Sequence, residues 1–345
     1  MIMILRAKIR GMTAILLAMI LLFGCSKTEQ QQISGKTMGT YYSIKFVMHS
    51  SPLNITEIKT EIDTRLDQID QKMSTYRSDS EIARFNDSRL VNQPFPISKE
   101  TETVVKEALR IAGLTENALD ITAGPLVNLW GFGPVERGES LPPSPDDVKH
   151  QLARVGLDKL KFSDGALMKS VPQLALDLSS IAKGYAVDVI AEYLESIGIN
   201  DYLVDIGGEV RAKGKNIQDN VWRVAIEKPS TGLEQRVQRI IELNNVSVAT
   251  SGDYRNYFDA GGVHYSHTID PKTGYPIANG IASITVITPK CITADGFSTG
   301  LGVLGPERGI EIADKLNIAV FMIIKSDNGF EERYSKAFEQ YLADE

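Results

Sequence analysis

Asp295 and Thr299 lie four residues apart in ITADGFSTGLGVLG, a segment whose small residues and apolar face predict a helix. Residues i and i+4 project from one face, so a carboxylate and a hydroxyl would converge on a single cation. The competing reading makes Asp295 a helix cap and Thr299 a packing residue. The chain has four histidines, and its two cysteines are Cys25 and Cys291, so any metal would be held mainly by oxygen. That suits Mg²⁺ or Ca²⁺ and excludes a thiolate site.

A second cluster is DLSSIAKGY from Asp177 to Tyr185, with strand-like residues before it and a helix after it. Ser179 or Ser180 could cap that helix, and the free amides at a helix N-terminus form an anion site. Lys183, in the first turn, places positive charge where the helix dipole disfavours it. Such a placement suggests a bound anion such as phosphate; the plainer explanation is a solvent-exposed lysine. In the third cluster, YSHTIDP, His267 and Asp270 sit beside a turn. His267 could act as a general base near neutral pH, or it could be structural. His49, His150 and His264 have no context that raises them above surface residues.

Two familiar patterns fail once their surroundings are read. Gly296 to Gly300 (GFSTG) matches the nucleophile elbow of hydrolases, where the acid and then the histidine follow the serine. No histidine follows Ser298 here. Gly300 to Gly305 matches G-x-G-x-x-G, but that fingerprint must leave a strand directly and open a helix. The nearest convincing strand ends near Thr288, twelve residues earlier. No Walker A loop, HExxH or EF-hand loop is present.

The elements that must carry these residues are legible in outline. Thr37 to Met48 reads as a first strand. From Ile55, the positions Ile58, Ile62, Leu66, Ile69 and Met73 form the stripe of an amphipathic helix. Ser98 caps a second helix with Glu100 and Glu102 in its first turn, and Ser144-Pro145 opens another that Gly156 would stop. Gly124 to Pro145 is rich in glycine and proline and reads as a loop region with at most a short helix. The second half holds short β-rich runs at Gln173–Leu176, Tyr202–Ile206, Trp222–Glu227, Gln238–Leu243, Ile281–Thr288 and Ile318–Ile324, interrupted by a long helix over Ser180–Ile197. Gly261-Gly262 sits between two β-like runs and is a candidate hairpin turn. Strands cluster without regular strand–helix alternation, so the expected class is α+β, with mixed or antiparallel sheets flanked by helices. No linker or repeat divides the chain, and a single domain over residues 36–345 is expected.

The N-terminus is read apart from the fold. Arg6, Lys8 and Arg10 precede an uncharged run from Met12 to Phe23, too short for the roughly 20 residues a bilayer span needs. It suits a signal-peptide core, and Leu22-Phe23-Gly24-Cys25 resembles the bacterial lipobox. Residues 1–24 are expected as a lipoprotein signal peptide, Cys25 as the lipidated (diacylated, palmitate-bearing) residue, and residues 25–35 as a tether. Removing the signal deletes three basic and no acidic side chains, moving the net charge from −7 to −10. That balance argues against nucleic acid and against electrostatic docking on anionic lipid.

Eight segments in order then carry a resemblance: TMGTY from Thr37, MSTY from Met73 with DSEI, DIT with GP from Asp120, DLSSIAKGYAVD from Asp177, DIGGE from Asp205, SGDYRNYF from Ser251, SHTIDPKTGYPI from Ser266 and ADGFSTGLGVLG from Ala294. Together they resemble the ApbE family, FAD:protein FMN transferases commonly anchored by lipid in the bacterial periplasm. The resemblance implies a Mg²⁺-dependent enzyme that cleaves the pyrophosphate of its substrate FAD. FMN is joined through its phosphate to a Thr or Ser hydroxyl of an acceptor protein, and AMP is released. It implies Mg²⁺ at the side chains of Asp295 and Thr299 and at backbone oxygens near Ser180 and Ile292. Flavin-nucleotide contacts would come from Met38, Tyr76, Ala118, Leu119, Asp120, Asp177, Lys183 and the His267-Thr268 segment. The proton of the attacking hydroxyl would pass to His267 or a nearby carboxylate.

The resemblance also implies acceptors among the subunits of inner-membrane redox pumps, with the anchor at the periplasmic side of the inner membrane. Ser26 after the lipobox cysteine equally permits sorting to the outer membrane. Two rival activities fit the same residues. One is an FAD pyrophosphatase, with water replacing the acceptor hydroxyl so that FAD yields FMN and AMP. The other is a flavin-binding lipoprotein without catalysis.

Overall fold

The computed structural model describes residues 28–49, 53–134, 142–228, 236–252, 257–327 and 329–342. The expected signal peptide and Cys25 lie outside the described residues.

The described chain enters as a hairpin. Strands β1 (Glu29–Thr37) and β2 (Thr40–Met48) pair antiparallel from Glu29↔Met48 to Thr37↔Thr40. Met38 and Gly39 form the two-residue turn, both at positive φ, 47° and 71°, as tight hairpins require. Residues 29–35, expected in the tether, are therefore strand: a polar edge strand carries little hydrophobic signal when its partner supplies the ladder. Helix α1 (Ile55–Met73) buries the five stripe positions expected of it, and Asn54 caps it by accepting from Thr56 and Glu57 N–H. Then follow α2 (Glu81–Asp87), β3 (Phe95–Pro96) and α3 (Lys99–Leu114), the last capped by Ser98 as expected. Within the glycine- and proline-rich stretch lies one short helix, α4 (Gly124–Trp130). Helix α5 (Pro145–Leu152), capped by Ser144, ends before Gly156.

Strands β4 (Leu160–Ser163) and β5 (Ala166–Lys169) join β3 in a small sheet. Residues 173–176 are not a strand; a single bridge links Ala175 to Ala123. Helix α6 (Ala182–Ser196) leads into β6 (Tyr202–Ile206), β7 (Glu209–Lys213), β8 (Trp222–Lys228), β9 (Arg236–Leu243) and β10 (Val246–Gly252). The hairpin β11 (Tyr257–Ala260) and β12 (Val263–Ser266) turns at Gly261-Gly262, as expected. The chain closes with β13 (Ile281–Thr288), α7 (Cys291–Leu304), α8 (Pro306–Leu316), β14 (Ala319–Ser326) and β15 (Gly329–Tyr334). Helix α8 was not among the sequence expectations, although Pro306 in its first turn and Asn317 at its left-handed end are ordinary start and stop signals.

The main sheet has eight strands in the order β1-β2-β6-β7-β10-β13-β14-β15, every neighbouring pair antiparallel. The fold is α+β. One face packs on helices: Ile44, Val204, Ile284 and Val320 of the sheet meet Ile62 of α1, Ile111 of α3, Ile190 of α6 and Phe297 of α7 in the principal core. The other face, with Val210, Val248 and Phe321, is covered by Trp222, Ile226 and Ile241 of the β8–β9 hairpin and by Phe338. All eight residues of the central strand β13 are buried because both its faces are covered. A satellite cluster of Leu126, Trp130, Val148, Val155 and Ile269 lies apart from both cores. The gap between that cluster and the helical layer is where the pocket forms.

Candidate active site

Helix α7 is buried almost all round, including Asp295 and Ser298, and its glycines let other elements come close. A Cβ on Gly296 would lie 2.6 Å from Ile111 Cδ1, and one on Gly300 would lie 3.0 Å from Thr115 Cγ2. The GFSTG pattern is thus a packing surface for α3 and the turn after it. Ser298 Oγ lies 2.7 Å from Ser251 Oγ and donates to the Asp295 carbonyl at 2.8 Å, inside the protein.

Helices α6 and α7 touch at Gly184, where a Cβ would stand 2.4 Å from the Cys291 carbonyl oxygen and 2.7 Å from Asp295 Cβ. This approach lets Gly184 N–H donate to Asp295 Oδ2 at 2.8 Å. Asp295 does cap a helix, but the helix is α6 rather than its own. Neither Ser179 nor Ser180 caps α6: Ile181 precedes it with no side-chain cap, and Ser179 N–H turns back to Asp177 Oδ1 at 2.9 Å.

Lys183 is not a solvent-exposed lysine. Its Nζ lies 2.7 Å from Glu209 Oε1 and 3.9 Å from Asp295 Oδ1. Burial works against the ammonium, but the two carboxylates outweigh it and hold its pKa above the ordinary lysine value. Glu209, first residue of β7 after the Gly207-Gly208 turn, is 3% exposed, and its Oε2 has no hydrogen-bond partner. Burial, with Asp295 nearby, pushes Glu209 up to about 7, Lys183 opposing. Burial likewise raises Asp295, against Lys183 and the Gly184 amide.

These groups line one cavity of about 1110 Å³, together with Thr299. Met38, Tyr76, Ala118, Leu119, Asp120, Asp177, Ser180, His267 and Thr268 line it as well, so distant segments converge on one space. Ile292 does not line it: 5% exposed, it sits in the first turn of α7 and donates its N–H to Asp188 Oδ2 at 3.0 Å. Asp120 is held by the Thr122 amide and hydroxyl at 2.7 and 2.6 Å, and burial pushes its pKa up against those bonds. Tyr76, 70% exposed, donates its hydroxyl to the Phe132 carbonyl at 3.0 Å, and the half-buried His267 meets the Phe132 ring edge-on at 6.3 Å between centroids. Trp130, Phe132 and Phe258 make the same end of the cavity aromatic. Sequence reasoning had assigned no role to Glu209 or to this aromatic wall. The DIGGE segment carried the first as a glutamate behind a glycine turn, and SGDYRNYF ended on Phe258 without a role assigned to it, whereas nothing local marks Phe132.

Among the described residues, no three His, Cys, Asp or Glu side chains cluster in metal-holding geometry. Any cation at Asp295 would therefore depend on hydroxyl and backbone oxygens besides that carboxylate. The α+β domain thus carries one large cavity lined by aromatic side chains, a lysine, two buried carboxylates and a helix start.

The chain belongs to the ApbE family, whose sequence profile matches residues 38–322. It is 49% identical over 335 residues to a FAD:protein FMN transferase of Vibrio cholerae, covering 97% of this chain and 99% of that one. A protein of the same description from Haemophilus influenzae is 48% identical, covering 96% and 97%. Among solved structures, flavin transferase ApbE from Vibrio cholerae superposes with a TM-score of 0.86 at 49% identity, covering 92% of this chain and all of that one. The apo flavinyl transferase ApbE of Pseudomonas stutzeri gives 0.84 at 39% identity, with 92% and 98% covered.

Proposed function

We propose that the chain is a Mg²⁺-dependent FAD:protein FMN transferase, which moves the FMN half of FAD onto a Thr or Ser hydroxyl of an acceptor protein and releases AMP. The observation that carries this is Lys183, fixed between Glu209 and Asp295 at the start of α6 and lining the same cavity as the aromatic wall. At about 1110 Å³ the cavity admits a dinucleotide. Lys183 and the first turn of α6 suit a pyrophosphate, and Tyr76, Phe132 and Phe258 suit a flavin ring.

The residues also fit a hard cation. Asp295 is 2% exposed, its Oδ1 faces Lys183 beyond hydrogen-bond reach, and Thr299 stands one helical turn on in the same cavity. With both carboxylates ionised, as at pH 8, the cluster stands at −1 and repels phosphates; a divalent cation would reverse that sign. Asp295 and Thr299 would hold it; the family resemblance adds backbone oxygens near Ser180 and Ile292, of which Ser180 lines the cavity and Ile292 does not. When bound, Mg²⁺ would polarise the phosphoryl oxygens and offset charge on the departing AMP. The acceptor oxygen bonds to the FMN phosphorus as the bond from that phosphorus to the bridging oxygen breaks. His267 or a nearby carboxylate takes the hydroxyl proton.

Incubation of the protein with FAD, Mg²⁺ and an acceptor, followed by a fluorescent gel, tests this reading. Labelled acceptor is expected, with loss of label in Asp295→Ala. Free FMN with no labelled protein would establish the pyrophosphatase instead, and no flavin turnover at all would leave only binding. Acceptors on inner-membrane redox pumps suit an enzyme anchored through Cys25 at the periplasmic face of the inner membrane. With β1 starting at Glu29, the tether is shorter than the expected 25–35. Fractionation of tagged protein checks the location, including the outer-membrane alternative that Ser26 permits.

A further inference from the structure

Helix α7 begins without a cap of its own, since Lys290 offers no side-chain bond to its first turn. The bonds come from α6. Asp188, 4% exposed, accepts Cys291 N–H on Oδ1 at 3.0 Å and Ile292 N–H on Oδ2 at 3.0 Å. In return Asp295 of α7 accepts Gly184 N–H from the first turn of α6. Each helix thus has its N-terminal amides satisfied by an aspartate of the other, and the two meet at a glycine with no room for a Cβ.

The Asp188 carboxylate is itself held. Arg211 NH1 lies 2.8 Å from Asp188 Oδ1, and its NH2 reaches Glu195 Oε1 at 3.4 Å, which also accepts the Tyr202 hydroxyl at 2.6 Å. Arg211 is two residues beyond Glu209 on β7, so the two side chains leave the same face of the strand. One strand therefore grips α6 twice, through Glu209 at Lys183 and through Arg211 at Asp188.

We infer that Asp188 is a positioning residue for the cation site: held by Arg211, its carboxylate fixes the first turn of α7 and through it the Ile292 backbone and the Asp295 side chain. This rests on the cation reading proposed above. Asp188 does not line the cavity, so it acts through the helix. Groups that orient a metal's ligands set its affinity strongly, because a carboxylate displaced by a fraction of an ångström no longer completes the site.

The test is titration of the whole chain with Mn²⁺ alone, followed by electron paramagnetic resonance of the free ion. Binding is expected in the wild type and its loss in Asp295→Ala. Asp188→Asn should remain folded by circular dichroism, bind Mn²⁺ about 10- to 100-fold more weakly, and recover near-wild-type kcat at saturating Mg²⁺. A merely structural defect would lower the melting temperature without changing the affinity of the folded protein. Wild-type affinity in Asp188→Asn overturns the inference alone. No Mn²⁺ binding by the wild type overturns the cation reading and the inference with it. Should Asp188→Asn fail to fold, Arg211→Lys, which keeps the amide bonds but removes the guanidinium fork, takes its place in the same titration, and wild-type affinity there overturns the inference.

Discussion

Lys183 Nζ lies 2.7 Å from Glu209 Oε1, tying the first turn of α6 to the first residue of β7, while the other oxygen of that carboxylate has no partner. The pair sets both the charge of the pocket floor and the direction in which the ammonium points.

Glu209→Gln therefore should act oppositely with and without metal. At pH 8, above the value of about 7 to which burial raises Glu209, the substitution removes one negative charge from the floor. Without a divalent cation, FAD should bind about 100-fold more tightly, as expected for one unit charge about 6 Å away at an effective dielectric near 20. With Mg²⁺, transfer should fall because Lys183 loses its anchor. Equilibrium dialysis in EDTA at pH 8 and pH 5.5 checks the first part: the gain should shrink at pH 5.5, where Glu209 is already protonated. An equal gain at both values would show that its charge is not the cause.

Gly184→Ala should separate α6 from α7. The new methyl would meet the Cys291 carbonyl at 2.4 Å, and backbone cannot rotate away as a side chain can. A cost of about 1–3 kcal/mol is expected from overpacking, with loss of FMN transfer because Asp295 is pulled from the Gly184 amide. Urea unfolding and the gel assay measure the two effects, and unchanged transfer in a destabilised protein would contradict the coupling.

Ser298→Ala should leave transfer within a few-fold of wild type. The hydroxyl is enclosed in α7 against Ser251 and the Asp295 carbonyl, so its loss removes two internal hydrogen bonds and no nucleophile. A serine hydrolase would instead lose all activity, so the residual rate of this variant distinguishes the two chemistries.

Lys169 gives the fold a pH dependence of definite sign. It is 1% exposed and donates to the carbonyls of Phe85, Asn86 and Leu174 at 2.9, 3.2 and 3.0 Å. Burial, with Arg89 nearby, pushes its pKa down to about 8 from an ordinary 10.5. Between those values the folded state binds fewer protons than the unfolded state, so this group's contribution to stability rises with pH and levels off above 10.5. Lys169→Met should cost about 3 kcal/mol or more at pH 7 by stranding three carbonyls. Its deficit relative to wild type should widen from pH 8 to pH 10 in urea titrations. A constant deficit would mean that the three carbonyls keep the lysine charged.

Much of the fold was legible locally. Five apolar positions at threes and fours specified α1, Ser98 and Ser144 specified helix starts, and Gly261-Gly262 specified a hairpin, because each is a short-range preference of the backbone. Residues 29–35 and 173–176 were misread for the complementary reason. Strand pairing is decided by a partner distant in sequence: Glu29 to Thr37 have one in β2, and Gln173 to Leu176 have only a bridge at Ala175. Most site residues were legible as motif positions, whereas Glu209 and Asp188 stood within quoted motifs without a visible task.

The sequence by itself determined which chemical groups the protein carries, which of them start helices, and that Asp295 and Thr299 share a helical face. Only the tertiary structure decided what each group meets. Lys183 is an ion-paired anchor because β7 brings Glu209 beneath it, and Asp295 caps α6 because Gly184 leaves α7 room to approach. Burial and the distances between charges, which fix those pKa directions, arise when segments over a hundred residues apart pack together, and no local pattern of residues encodes them.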